Sequence, residues 1–256
     1  MVKNILKFVI DGEDYSISED RKNITSQKKK YTFEDFGEEK GGTISFIIVP
    51  REAAEDGTAY GFSTEEKLEK WLKATNRFDE YKREKELEKR LKKERTPEML
   101  EEIKQSQIKE VKKTTEKYEN FLKKYNLKPE ETEKRREILE DYDPFFKFKS
   151  HSVYLFDNTF FPLFRFPWLF IGLKGGHSYC GKRYYRDYPD LGVFKDQNGK
   201  GFDNRASSLT VDCGSYGTLY TDKDLKGAWM KFYTHVWTLD FATHSFNNSF
   251  SSARVY

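Results

Sequence analysis

At 256 residues the chain can bury one large core or two modest ones. Its net charge of +3, from 46 Lys and Arg against 43 Asp and Glu, gives no general attraction to nucleic acid or anionic lipid. Hydrophobic residues make up 36% and charged ones 35%, yet aromatics reach 16%, and 27 of the 42 aromatics follow Pro144; that distribution excludes one uniform globule.

The opening run MVKNILKFVIDG is broken by Lys7 and ended by Asp11-Gly12, too short an apolar stretch for a signal peptide. The expected compartment is the cytoplasm, with non-classical export left open. Residues 1–76 read as a small α+β domain. KNILKFVI and DYSIS flank Asp11-Gly12 as a hairpin, and GTISFIIVP is a buried strand ended by Pro50. Ser63 with Glu66 reads as a capping box before a helix whose apolar face is Leu68, Trp71 and Leu72.

Residues 77–145 read as a charged helical spacer. Between Asp79 and Asp143 there are 19 Lys or Arg and 19 Asp or Glu, so no excess of cations remains to displace counterions from nucleic acid. Apolar residues recur at helical spacing, among them Leu87, Leu91, Leu100, Ile103, Val111, Tyr118 and Tyr125, with Gln107 and Thr114 interrupting the seam. Thr96-Pro97 and Lys128-Pro129 mark helix starts or breaks. A helical hairpin or short coiled coil is expected, serving as a linker, a self-association surface or a partner-binding arm.

Residues 146–256 carry most of the aromatics. FFPLFRFPWLFIGL, Phe160 to Leu173, is fourteen residues long and contains Pro162, Arg165 and Pro167. A spanning helix needs about 20 apolar residues, so core or interdomain packing is expected and no transmembrane segment. From about Trp168 the pattern turns to short strands, glycines and aromatics. GFDNRASSLTV, from Gly201, is echoed 44 residues later by SFNNSFSSARV, from Ser245. A repeat of that period with strand-like halves suggests Greek keys packed as two sheets.

On these residues the stretch from about Trp168 to Tyr256 resembles the βγ-crystallin family. Each family repeat opens with a hairpin written aromatic, four residues, aromatic, one residue, Gly. Tyr220, Leu225 and Gly227 match it with Leu in the second aromatic place; the first repeat has Tyr179 and Gly181, with Lys174 at the earlier aromatic position. The glycine serves a positive φ that a Cβ resists. The family's calcium signature (Asp/Asn, Asp/Asn, two free residues, Ser/Thr, Ser) is met by Asp203-Asn204-Arg205-Ala206-Ser207-Ser208 and by Asn247-Asn248-Ser249-Phe250-Ser251-Ser252.

The resemblance implies an all-β double Greek-key sandwich with a core at about 168–256, and hence an α+β multidomain chain. It implies two crossed Ca²⁺ sites. Asn204 and Asn248 side chains would ligate with Asp203 and Asn247 in support, Ser207 and Ser251 would give hydroxyls, and Arg205 and Ser249 carbonyls. Ser208 and Ser252 would bond the folded hairpins. Calcium wants six to eight hard oxygens, which these groups can supply. With only Asp203 charged among the leading four positions, affinity is expected to be modest. The same Asn and Ser residues also make turns that need no ion.

No catalytic constellation emerges. His151, His177, His235 and His244 form no HExxH, and GxSxG, P-loop and GxGxxG motifs are missing. Cys180 and Cys213 fit no metal or redox spacing and cannot form a disulfide framework; whether they pair is open. Cys213 reads as a small buried residue at a strand end rather than a nucleophile served by His235. The expectation is a non-enzymatic calcium-binding protein. The alternatives are a partner-binding protein (an inhibitor, toxin-like factor or adaptor) built on a rigid Greek-key platform without calcium, or an enzyme seated in the N-terminal domain.

Overall fold

The computed structural model describes residues 5–18, 22–94, 96–126, 152–156, 170–174, 186–194, 201–206, 208–211, 216–234, 236 and 249–256. At its start Asp11 and Gly12 both take left-handed backbone, φ 53° and 91°. That pair of conformations closes a two-residue hairpin, so β1 (Lys7–Ile10) pairs antiparallel with β2 (Glu13–Ile17). β3 (Asn23–Ser26) and β4 (Lys30–Thr32) extend the meander. α1 (Phe33–Lys40) closes over it, setting Phe36 edge-on to Tyr15 and Tyr31.

β5 (Phe46–Val49) and β6 (Thr58–Phe62), joined through the single turn of α2 (Ala53–Asp56), are near-continuous apolar runs buried on both faces, as inner strands require. α3 (Glu65–Ala74) follows, and its cap differs from the expected capping box by one residue. The Thr64 side chain accepts from Lys67 N, whereas the Ser63 hydroxyl and amide donate to Asp11. Ser63 ties the helix entry to the first hairpin, and Thr64 begins the helix.

α4 (Phe78–Glu94) and α5 (Pro97–Lys124) are separated at Thr96-Pro97, where Thr96 Oγ1 accepts from Met99 N. Beyond them are β7 (Ser152–Phe156), β8 (Phe170–Lys174), β9 (Arg186–Tyr188), β10 (Ser208–Val211), β11 (Gly217–Asp222), β12 (Lys226–Phe232) and β13 (Ser252–Val255). The described strands form two sheets: a ten-stranded one in the order β4-β3-β2-β1-β6-β5-β12-β11-β13-β9, and a three-stranded one in the order β10-β7-β8. β5 and β12 pair in parallel, Phe46 against Trp229 through Val49 against Phe232. Strands from 1–76 and from 146–256 therefore share one sheet, within an α+β architecture that has five α-helices among the described residues.

Strand alternation sets the layers. Leu219, Met230, Phe232, Ala253 and Val255 point to a core shared with Val153, Leu155, Leu209 and Val211 of the small sheet. Phe46, Ile48, Phe62 and Trp229 point the other way, to a second cluster with Leu68, Leu72 and Tyr81. α4 covers this second face with Tyr81, Glu84, Glu88 and Leu91, spaced three and four apart along one side. Glu84 pairs with Lys231, and Glu88 accepts from the Tyr220 hydroxyl at 3.2 Å. Arg254 forks onto Asp187 at 2.6 and 3.2 Å and reaches Glu88 at 3.4 Å.

Asp187, Arg254, Thr218 and Lys231 are cross-strand partners in one row, so the helix lies over a polar stripe with acidic groups facing it. Beside the stripe Tyr216 stacks between Tyr256 and Tyr233, with centroids 4.6 and 5.1 Å away. Gln107, expected only to interrupt a seam, is buried and donates to Asp187 O at 2.7 Å, anchoring α5 on β9. The side chains of Val111 and Tyr118 are outside the described set, as is Lys128-Pro129. No helix among the described residues is long and apolar enough to cross a membrane.

Candidate cation site

Between β9 and β10 the chain is pinned by apolar plugs. Phe202 and Ala206 are fully buried, and Phe202 N donates to Phe194 O. Between them Asn204 takes φ 54°, a left-handed conformation that Asn tolerates better than most residues. Its amide donates to Phe250 O at 3.0 Å. The loop thus sits against the segment leading into β13, where Phe250 is itself fully buried. In that contact the Ser251 hydroxyl donates to Asn204 Oδ1 at 3.1 Å. One oxygen belongs to the first signature and the other to the second. Arg205 turns its side chain back, donating to Gly201 O at 3.0 Å with its guanidinium over the Phe202 ring, so only its carbonyl could serve an ion.

Ser252 has a different task. Its hydroxyl donates to Asp222 O at 2.5 Å and accepts from Leu225 N at 3.1 Å, holding the turn between β11 and β12. There Asp224 and Leu225 have φ 59° and 60°, and Gly227 has φ 81°. A Cβ at Gly227 would stand 2.3 Å from Thr221 Oγ1. The hairpin therefore demands glycine on both conformation and space, and Ser252 bonds it as the resemblance implied.

The charged groups around the loop were not foreseen. Lys223, from the hairpin, lies 2.9 Å from Asp190 Oδ2 and 4.0 Å from Asp203 Oδ2. Asp190 Oδ1 accepts from Gly192 N, capping the 3-10 turn Leu191–Val193. Asp203 Oδ1 is buried with no hydrogen-bond partner. Lys104 of α5 lies 3.1 Å from Asp224 Oδ1, an atom that nonetheless receives no hydrogen bond; the contact is Coulombic and off the bonding direction. Asp190 and Lys223 are 33 residues apart, and no local spacing links them.

These residues can be tested against calcium. Two oxygens 3.1 Å apart subtend about 80° at an ion about 2.4 Å from each, an ordinary angle for a seven-coordinate ion. Hydroxyl and carboxamide oxygens are suitable hard donors, and Asp203, the neighbour of Asn204 in sequence, carries a buried carboxylate oxygen without a hydrogen-bond partner. Asp203, Asn204 and Ser251 fit. Ser249 directly precedes the buried Phe250, while Ser207, Asn247 and Asn248 lie outside the described residues. No group of three or more His, Cys, Asp or Glu suited to a metal occurs among the described residues; the signature oxygens come instead largely from Asn and Ser. The four histidines and two cysteines are outside the described set as well.

A separate cleft of 810 Å³ opens between the two long helices and the sheet, lined by residues that include Phe46, Trp229, Leu91, Leu100, Tyr220 and Lys104.

No family model matches the chain, and no curated protein does. Over 41% of its length the chain is similar to solved structures of small domains. One is the N-terminal domain of protein S, at 21% identity and TM-score 0.29 over 94% of that chain. Another is a βγ-crystallin domain from Flavobacterium johnsoniae, at 21% identity and TM-score 0.28 over 92% of that chain. A third is a βγ-crystallin from an archaeon, at 16% identity and TM-score 0.29 over 98% of that chain.

Proposed function

We propose that the chain is a non-enzymatic calcium-binding protein, with a double Greek-key, βγ-crystallin-like unit at 146–256 whose two signatures share ligands across the repeat. The observation that carries this reading is the 3.1 Å approach of Asn204 Oδ1 and Ser251 Oγ, one from each signature. When bound, calcium supplies a charge that ties the two loops together. The protein's own residues set the rest. The left-handed turn at Asn204 aims its carboxamide, the buried Phe202 and Phe250 hold the loops in register, and Asp203 lends negative charge.

With one carboxylate among the signature oxygens, affinity falls in the micromolar to millimolar range of weak calcium modules. Such a site fills outside the cell or during calcium influx. The test is calorimetric titration of the full chain with calcium. Binding in that range, weakened by Ser251→Ala and by Asn204→Ala, is the expected result. No heat and no rise in melting temperature at about 10 mM calcium, far above that range, would end the calcium reading.

The cleft favours a second reading, a partner-binding platform. Its floor pairs Phe46 with Trp229 at 5.2 Å, and aromatic anchors of this kind dominate binding interfaces. Loss of a partner on Trp229→Ala, with calcium titration silent, would select it.

A further inference from the structure

We propose that Lys223 is a built-in cationic competitor at the first signature: its ammonium holds part of the negative charge that calcium needs, so the ion binds there by displacing it. The inference rests on the calcium reading above and specifies how that site is regulated.

The geometry divides the available charge unevenly. Asp190 gives one oxygen to Gly192 N and the other to Lys223 at 2.9 Å, so both its oxygens are engaged. Asp203 lies 4.0 Å from the same ammonium through Oδ2, and its Oδ1 is buried without a hydrogen-bond partner. Two carboxylates thus share one cation, and the leading acid of the signature is the less satisfied of the two. A buried carboxylate oxygen without a donor is costly, and a divalent ion is one group able to relieve it.

The competitor is tethered at one end only. Its backbone belongs to the hairpin that Ser252 clamps, next to the left-handed Asp224 and Leu225. Its side chain is 50% exposed and can swing into solvent. Lys223 also comes from the second repeat's hairpin, whereas Asp203 belongs to the first signature. In the absence of ion the lysine therefore supplies the cross-repeat tie that calcium supplies when bound.

The test titrates calcium into the full chain carrying Lys223→Met, Lys223→Arg or Lys226→Met, alongside the unmodified protein, with melting temperature measured in the absence of calcium. Removing one positive charge beside the ion should raise calcium affinity of Lys223→Met about tenfold, while its melting temperature without calcium falls. Lys223→Arg keeps the charge and should bind as the unmodified protein does. Lys226→Met, an exposed charge on the same hairpin, should change affinity by no more than about twofold, because solvent and salt screen it.

A merely structural lysine would lower the melting temperature without tightening calcium. If the unmodified chain binds calcium and Lys223→Met binds it no tighter, the competitor is overturned and the calcium reading stands. If only Lys223→Met binds, the competitor stands and calcium is not a ligand of the unmodified chain. If neither binds, both fall. Should Lys223→Met not fold, nitrogen-detected NMR of the lysine ammonium in the unmodified protein decides: faster Nζ hydrogen exchange on adding calcium supports displacement, and unchanged exchange contradicts it.

Discussion

Ser251 and Ser252 are adjacent and chemically identical, yet their hydroxyls do different work. Ser252 is fully buried and satisfies two backbone groups of the folded hairpin, so Ser252→Ala leaves those groups short of a partner. Its expected cost is about 1–3 kcal/mol without calcium, measured by chemical denaturation. A similar loss for Ser251→Ala would contradict the division of labour. The bond from Ser252 to the hairpin was legible in sequence, because the hairpin has a fixed spacing and Gly227 marks a backbone that Cβ cannot enter. Lys223 was not legible, since an exposed-looking lysine in a turn carries no sign of the aspartate it meets 33 residues away.

Glu65 supplies a pH dependence at the same scale. The Lys85 ammonium bonded to it, with a further hydrogen bond from Tyr81, holds its carboxyl below the ordinary range against the opposing effect of partial burial. A depressed acid contributes stability above its unfolded pKa and loses it as pH falls through the folded value. Glu65→Gln should therefore lower the melting temperature at about pH 7 and match the unmodified protein near about pH 3. The side chains are 36% and 45% exposed, so the difference stays within about 1 kcal/mol. A gap that widened on acidification would have the wrong sign.

α4 shows how an element can be read correctly as a helix while its role stays hidden. Charges at Glu84 and Glu88 look like a solvated face, because the cations they meet on the sheet lie 147 and 166 residues further along. Burial there raises the Glu84 pKa despite the nearby Lys231, as expected for an acid placed between a helix and a sheet. The anchor of the polar row is Arg254 on Asp187, 4% and 2% exposed. Removing Asp187 leaves the buried Arg254 with only the longer Glu88 contact among its carboxylates described above, so Asp187→Ala should cost about 3 kcal/mol, the lower end for breaking a buried pair. Urea denaturation measures it, and a cost under about 1 kcal/mol would mean that the row behaves like a surface pair.

For the molecule as a whole, local pattern foretold the first hairpin, the buried strand at Phe46–Val49 and the helix start at Thr96-Pro97. It did not foretell that β5 would lie beside β12. Parallel neighbours need no short connection, and an apolar run such as FIIV says only that both faces are covered. The shared sheet brings α4, α5 and the hairpin to one cleft lined by Glu88, Lys104 and Asp224 among others, and Lys223 of the same hairpin reaches Asp203 of the first signature. The central claim is that those signatures form one cation site. A crystal structure of the full chain grown with calcium tests it most directly. The expected result is an ion about 2.3–2.6 Å from both Asn204 Oδ1 and Ser251 Oγ, with the Lys223 ammonium withdrawn from Asp203. A Ser251 hydroxyl still bonded to Asn204, with no ion between them, would contradict it.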